Sequence, residues 1–258
     1  PQQHDYRLAQ DSPAHAIGFR PFDFGGAGVY GDPAWVAKAR DREFPPMRTV
    51  APDPPPFTIS DGFESVEEGG APLDAYVYTE NEGDAIAVCT LRPATGRQCL
   101  EVRDKPGLKY AFNPHFYYQP NHSTGRTRVQ FDLRLGPGAH LYHEWREYPG
   151  HPYFDTGPRL SIASGRLVAG GRDLLRLPEH EWVHFELECD HGHDATDTWC
   201  LTVTLPGKPP QTFAELPIGS PGAYRRLTWL GFVSEGDAEG VYWLDNLSIE
   251  HGPAPTRP

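Results

Sequence analysis

Thr127-Arg-Val-Gln-Phe-Asp-Leu-Arg-Leu135 alternates apolar and polar residues without a break. Val129, Phe131, Leu133 and Leu135 fall on one side of an extended chain. Arg128, Gln130, Asp132 and Arg134 fall on the other, with the two-residue period of a half-buried β-strand. Leu141 to Tyr148 follows across Gly136-Pro-Gly138 and reads as the hairpin partner of this strand. Trp182 to Cys189 and Trp199 to Leu205 repeat the pattern, with Val183, Phe185, Leu187, Leu201, Val203 and Leu205 inward. Leu227 to Val233 and Val241 to Ile249 are apolar on both faces, as central or covered strands are. Turn signals separate these runs, and no helical period or internal repeat intervenes. An all-β, antiparallel two-sheet β-sandwich follows.

Composition agrees. The 258 residues include 27 Gly and 28 Pro, which suit a fold of many turns, and 13 Phe, 12 Tyr and 6 Trp supply bulky core material. The formal net charge of −12 disfavours nucleic acid or an anionic membrane surface as partner. No window is long and apolar enough for membrane insertion, and no signal peptide is evident. The chain opens at Pro1 and reads as a mature product or a fragment. Its four cysteines, Cys89 with Cys99 and Cys189 with Cys200, each sit across an expected hairpin. Two local disulfides are the economical reading, with four reduced thiols as the alternative, and disulfides imply a secreted or cell-surface protein. The spacing does not suit zinc.

The chain is uneven along its length. Residues 1–44 are too few for a core and too apolar for a disordered tail, with Trp35 to Arg40 a short helix. Residues 45–56 form a stiff Pro-rich linker, residues 57–251 the sandwich domain and residues 252–258 a tail. Tyr6-Arg-Leu-Ala-Gln-Asp-Ser-Pro-Ala14 resembles the closing segment of bacterial right-handed parallel β-helix proteins. That resemblance implies an upstream β-helix domain as partner.

The phrases Gly62-Phe-Glu64, Phe131-Asp-Leu-Arg134, Glu144-Trp-Arg146, Gly157-Pro-Arg-Leu160, Glu181-Trp-Val-His-Phe185, Trp229-Leu-Gly-Phe232 and Leu244-Asp-Asn246 occur in order. Together they resemble the concanavalin A-like (laminin G-like) jelly-roll domains of bacterial carbohydrate-active proteins. The resemblance implies a jelly roll, frequent glycan binding, and structural calcium near the Phe-Glu and Asp-Asn elements. It implies no reaction. A sandwich whose first and last strands lie side by side brings Glu64 and Asp245 together, two carboxylates suited to the oxygen ligands calcium takes. Ordinary strand-end polar groups are the plain alternative.

For glycan binding, Tyr142, Glu144, Arg146 and Tyr148 would line up beside Arg128, Gln130, Asp132 and Arg134. Rings stack on sugar faces while guanidinium and carboxylate groups bond hydroxyls. Tyr153 adds an exposed aromatic, and Phe112-Asn-Pro-His-Phe-Tyr-Tyr118, ending in Tyr118, supplies a second aromatic wall. Cross-strand ion pairs and core-capping rings are the alternative.

A catalytic reading finds less. The Glu-x-Asp-x-x-Glu strand of jelly-roll glycosidases is absent, as are the alginate-lyase phrases, a Gly-x-Ser-x-Gly elbow and a His-Glu-x-x-His helix. Glu186 and Glu188 share a polar face with His184, for which a solvated sheet face is the plainer account. His191-Gly-His193 reads as a hairpin tip rather than a metal site, and the sequons at Asn121 and Asn246 are weak hints. The expectation is an exported, non-catalytic module that binds a polysaccharide or oligosaccharide. The alternatives are a jelly-roll glycoside hydrolase or polysaccharide lyase, and a structural or adhesion spacer.

Overall fold

The computed structural model describes residues 8–20, 28–41, 53–150 and 152–254. The chain divides into two units, 1–52 and 53–258. In the first, Ser12 caps a single 3-10 turn at Pro13–His15. Helix α1 spans Pro33–Arg40, where Asp32 accepts from the Ala34 amide at 2.8 Å and Pro33 sits at the first helical position. Among the described residues this unit has no strand. Residues 1–7 and 21–27, on which much of the β-helix resemblance rests, lie outside the described residues, as do linker residues 45–52.

The second unit holds fifteen strands among the described residues. In chain order they are β1 Ile59–Asp61, β2 Tyr76–Tyr78, β3 Ala85–Cys89, β4 Cys99–Asp104 and β5 His115–Tyr118. Then come β6 Gly125–Leu135, β7 His140–Gly150, β8 Tyr153–Ala163, β9 Arg166–Ala169 and β10 Arg172–Arg176. β11 Trp182–His191, β12 Thr198–Thr204, β13 Gln211–Pro217, β14 Trp229–Ser234 and β15 Gly240–Gly252 complete them. The first sheet runs β13-β12-β11-β6-β15-β4-β3, with β1 also on β15; the second runs β10-β9-β8-β7-β14-β5-β2. Every strand pairing is antiparallel. The two sheets face each other across one core, as a jelly roll requires.

The last strand ties this unit together. Along one edge β15 pairs throughout with β6; along the other its first half pairs with β4 and its second half with β1, Ile59 opposite Ile249. The opening and closing strands are therefore neighbours. The alternating residues of β6, β11 and β12 fall inward as the period requires, Phe131 stacking on Phe185 at 5.1 Å.

The expected hairpin between β6 and β7 does not form, because the two strands lie in opposite sheets. At Gly136-Pro-Gly138 the chain turns a corner: the Gly136 amide donates to Val241, and Gly138 adopts a positive φ of 68°. β7 thus crosses the sandwich and faces β6 through the core, where His143 meets the Phe131 ring at 5.3 Å. His143 is fully buried. Its Nδ1 donates to the Gly231 carbonyl at 2.9 Å, so its Nε2 is free to accept from the Trp145 indole, also at 2.9 Å.

A buried histidine pair elsewhere in the core shares one hydroxyl. His122 donates through Nε2 to the Phe57 carbonyl, so its Nδ1 accepts from Thr127, whose oxygen then accepts from His191 Nε2. His191 is therefore a buried residue at the end of β11, not part of an exposed hairpin tip.

Candidate functional site

The outward face of the second sheet is aromatic. On β2, Tyr76 and Tyr78 point out while Val77 packs against the core; on β5, His115 and Tyr117 point out while Phe116 and Tyr118 are buried. On β7 the outward set is Tyr142, Glu144, Arg146 and Tyr148, the four residues expected there, and on β14 it is Trp229, Gly231 and Val233. Register makes these neighbours. Tyr76 lies opposite Tyr117, Tyr117 opposite Gly231, and Trp229 opposite Arg146. Gly231 has a specific function here: a Cβ would collide with the Trp229 indole, so its absence lets that ring lie across the strand toward Tyr117.

The result is a continuous ladder over five adjacent strands. Tyr76 stacks on Tyr117 at 5.0 Å between centroids, and Tyr117 meets Trp229 at 5.3 Å. The Arg146 guanidinium sits 4.1 Å over Trp229 and 4.2 Å over Phe154 of β8. Each such contact is worth roughly 0.5–2 kcal/mol. Beside this row, Tyr78 stacks almost parallel on His115 at 4.7 Å. Tyr78, Phe112, His115, Tyr117, Arg146 and Phe154 are among the residues lining a groove of about 830 Å³ on this face. That size is in the range of ligand sites.

The polar groups here are tightly organised. Glu144, almost wholly buried, accepts from Arg146 Nε at 3.0 Å and Nη2 at 2.8 Å, and Arg159 approaches its other oxygen at 3.5 Å. Arg146 also donates to the hydroxyls of Tyr148 at 3.1 Å and Tyr142 at 3.4 Å. Burial opposes its charge, but Glu144 and the Tyr148 hydroxyl more than compensate and push its pKa up. Burial drives His115 the other way, to about 4, so the ring is neutral at pH 7. Asn113 fixes the tautomer: its amide nitrogen donates to Glu80 at 2.8 Å, which turns its oxygen toward His115 Nδ1 at 2.9 Å.

Other expected binding residues lie elsewhere. Arg128 and Arg134 are on the first sheet and cannot line up with β7, because β6 is not its hairpin partner. Arg128 pairs with Glu186 at 2.6 Å and with Glu188 at 3.6 Å, and His184 pairs with Asp132 at 2.8 Å. That is a solvated cross-strand ion network, which also accounts for the Glu186–Glu188 pair. Arg134 is buried between Trp182 and Trp243 and donates to the Leu91 and Arg92 carbonyls. Tyr118 is wholly buried in the core, because it points the opposite way from Tyr117. Tyr153 is exposed at the start of β8, and its neighbour Phe154 is the one that lines the groove.

The two expected calcium ligands both hold the loop at residues 94–98. Glu64 Oε1 accepts from the Arg97 and Gln98 amides at 2.6 and 2.9 Å, and Arg97 approaches its other oxygen at 3.5 Å. Asp245 accepts from the Ala94 and Thr95 amides at 2.8 and 3.1 Å, and from the Asn246 amide at 2.7 Å. N–H groups and a guanidinium surround these oxygens where a calcium cage needs further oxygens. Among the described residues no three metal-ligating side chains converge. As they stand, Glu64 and Asp245 do not fit a calcium site.

The cysteines also separate into two cases. Cys89 lies opposite Cys99 with the sulfurs 3.7 Å apart as thiols. Cys189 lies opposite Trp199 and faces the core, while Cys200 lies opposite Glu188 and faces outward. The expected Cys189–Cys200 disulfide is therefore excluded by this register.

These observations define a jelly-roll β-sandwich with an aromatic groove on one open sheet face. No protein-family model matches the sequence, and no curated protein sequence does. Solved structures do match. An endo-β-1,4-glucuronan lyase from the fungus Trichoderma reesei aligns with 73% of this chain and 95% of its own, at 12% identity and a TM-score of 0.50. The cellulose-induced protein Cip1 aligns with 77% of this chain and 100% of its own, at 16% identity and a TM-score of 0.50. A variant of alginate lyase Aly36B, in complex with an alginate trisaccharide, aligns with 76% of this chain and 99% of its own, at 11% identity and a TM-score of 0.52. At such identities the similarity establishes a shared fold.

Proposed function

We propose that the second unit binds a polysaccharide or oligosaccharide along the aromatic groove of the second sheet, as a glycan-binding jelly-roll module of an exported protein. The observation that carries this reading is the ladder of Tyr76, Tyr117, Trp229, Arg146 and Phe154, one residue on each of five adjacent strands. Pyranose rings present apolar C–H faces that stack on aromatic rings, and the surrounding hydroxyl and amide groups of Tyr148, Gln119 and Asn121 suit sugar hydroxyls. The similar structures support it in that one holds an alginate trisaccharide and another is a glucuronan lyase. The test is retention of the protein in native gels containing soluble polysaccharides. Tyr117→Ala and Trp229→Ala should each weaken retention about tenfold, whereas Arg128→Ala on the other sheet should leave it intact; retention unaffected by both groove variants would overturn the reading.

A second reading, polysaccharide cleavage, has one observation in its favour. His115 is neutral, oriented by Asn113 and Glu80, and lines the groove, which is how a general base is held. Release of reducing ends from a bound polysaccharide, lost in His115→Ala, would support it; binding without turnover would favour the module.

A further inference from the structure

Resting on the glycan-binding reading, we infer that the groove takes a neutral, extended glycan and not a polyuronate. Charge carries the neutral half of this, and geometry the extended half. Among the described residues Arg146 is the one charged side chain lining the groove, and four of its contacts are internal: two to Glu144, one to Tyr148 and one to Tyr142. Its two faces are covered by Trp229 and Phe154. The nearby Arg159 covers Tyr142 and is shared between Glu144 and Glu235. Two arginines thus meet two glutamates, and His115 adds no charge at pH 7.

A polyuronate brings one carboxylate per sugar and needs an unpaired cation or a bidentate guanidinium to receive it. Recruiting Arg146 would strand the buried Glu144, at a cost that breaking a buried ion pair makes large. The chain's net charge of −12 further opposes a polyanion.

The second observation is geometry. The ladder advances one rung per strand, four rings and the Arg146 guanidinium, so its repeat is the ~4.8 Å spacing of neighbouring strands and its length across five strands is ~19 Å. That repeat is close to the rise per sugar of an extended β-linked chain. Such a chain would cross the strands, its apolar C–H groups meeting the outward edges of successive rungs, whose faces are taken up by one another and by Arg146.

The experiment compares affinity electrophoresis of the whole chain in xylan, hydroxyethylcellulose, alginate and glucuronan, each in dilute and in molar salt. The expected result is retention by a neutral polymer that salt does not weaken, no retention by either uronan, and about tenfold loss in Tyr117→Ala, equivalent to ~1.4 kcal/mol. Retention by a uronan, abolished by salt and by Tyr117→Ala, would overturn the neutral assignment while leaving the groove as the glycan site. Retention by none of the four polymers, or retention indifferent to Tyr117→Ala, would overturn both.

Discussion

Acidification from pH 6.5 to 4.5 should cost this fold several kcal/mol, and His143 allows one contribution to be isolated. Burial lowers the pKa of both His143 and His191 to about 3, against an ordinary value near 6.5. Between those limits the unfolded chain binds a proton that the folded chain does not, so stability rises with pH across the window and is lost as pH falls. Each histidine that stays neutral in the fold to pH 4.5 therefore costs about 2.3 kcal/mol over the two pH units, because the unfolded ring is already half protonated at pH 6.5, and the pair about 4.6. Burial pushes Asp104 to about 6, and that group works in the opposite direction. A buried acid with a raised pKa is stabilised by protonation, which offsets about 2 kcal/mol at pH 4.5. Burial also holds His115 and His122 down to about 4, which adds losses of the same sign, so the histidine loss outweighs what Asp104 offsets. His143→Gln separates the term, because the amide can still donate to Gly231 and accept from Trp145 without titrating. Urea unfolding followed by tryptophan fluorescence at pH 6.5 and 4.5 should show the native chain losing about 2.3 kcal/mol more than the variant. Parallel losses would mean that His143 is not held neutral in the core.

The remaining predictions test single contacts. Arg146→Ala should destabilise the domain by about 3 kcal/mol, because Glu144 keeps only its weaker contact with Arg159; a stability change below ~1 kcal/mol would show that the pair is not buried as described. Gly231→Ala should weaken glycan binding by displacing the Trp229 indole, with an overpacking cost of about 1–3 kcal/mol; unchanged binding would remove that ring from the site. Exposure to oxidised glutathione should close one disulfide, Cys89–Cys99, and leave Cys189 and Cys200 unlinked to each other; peptide mapping that finds a Cys189–Cys200 bridge would contradict the β11–β12 register. Chelation should leave the melting temperature unchanged, and a drop on adding chelator would restore a calcium site at Glu64 and Asp245.

The strands were legible because a period of two appears directly in residues such as Val129, Phe131 and Leu133. Which sheet each strand joins was not legible. β6 and β7 show the same alternation whether they pair flat or face each other through a core, and Gly136-Pro-Gly138 permits both. That ambiguity placed Arg128 and Arg134 beside β7, when only the outward set of β7 belongs to the groove. The aromatic segment at 112–118 was recognisable as a wall, but its alternation sends Tyr117 outward and Tyr118 into the core. Trp229 was hidden within a run that is apolar on both faces, because Arg146 covers its indole and makes an outward position read as buried. The short run Tyr76-Val-Tyr78 carried a signal that could have been used, two outward rings around one inward valine. Cys200 was misjudged for want of one residue of register, which reverses the face of every side chain.

The most direct measurement is hydrogen exchange with and without a saturating neutral oligosaccharide. Slower exchange should concentrate in β2, β5 and β14, around Tyr76 to Tyr78, His115 to Tyr118 and Trp229 to Ser234. Protection confined to the ion-paired face of β6 and β11 would place the sugar on the wrong sheet and contradict the account.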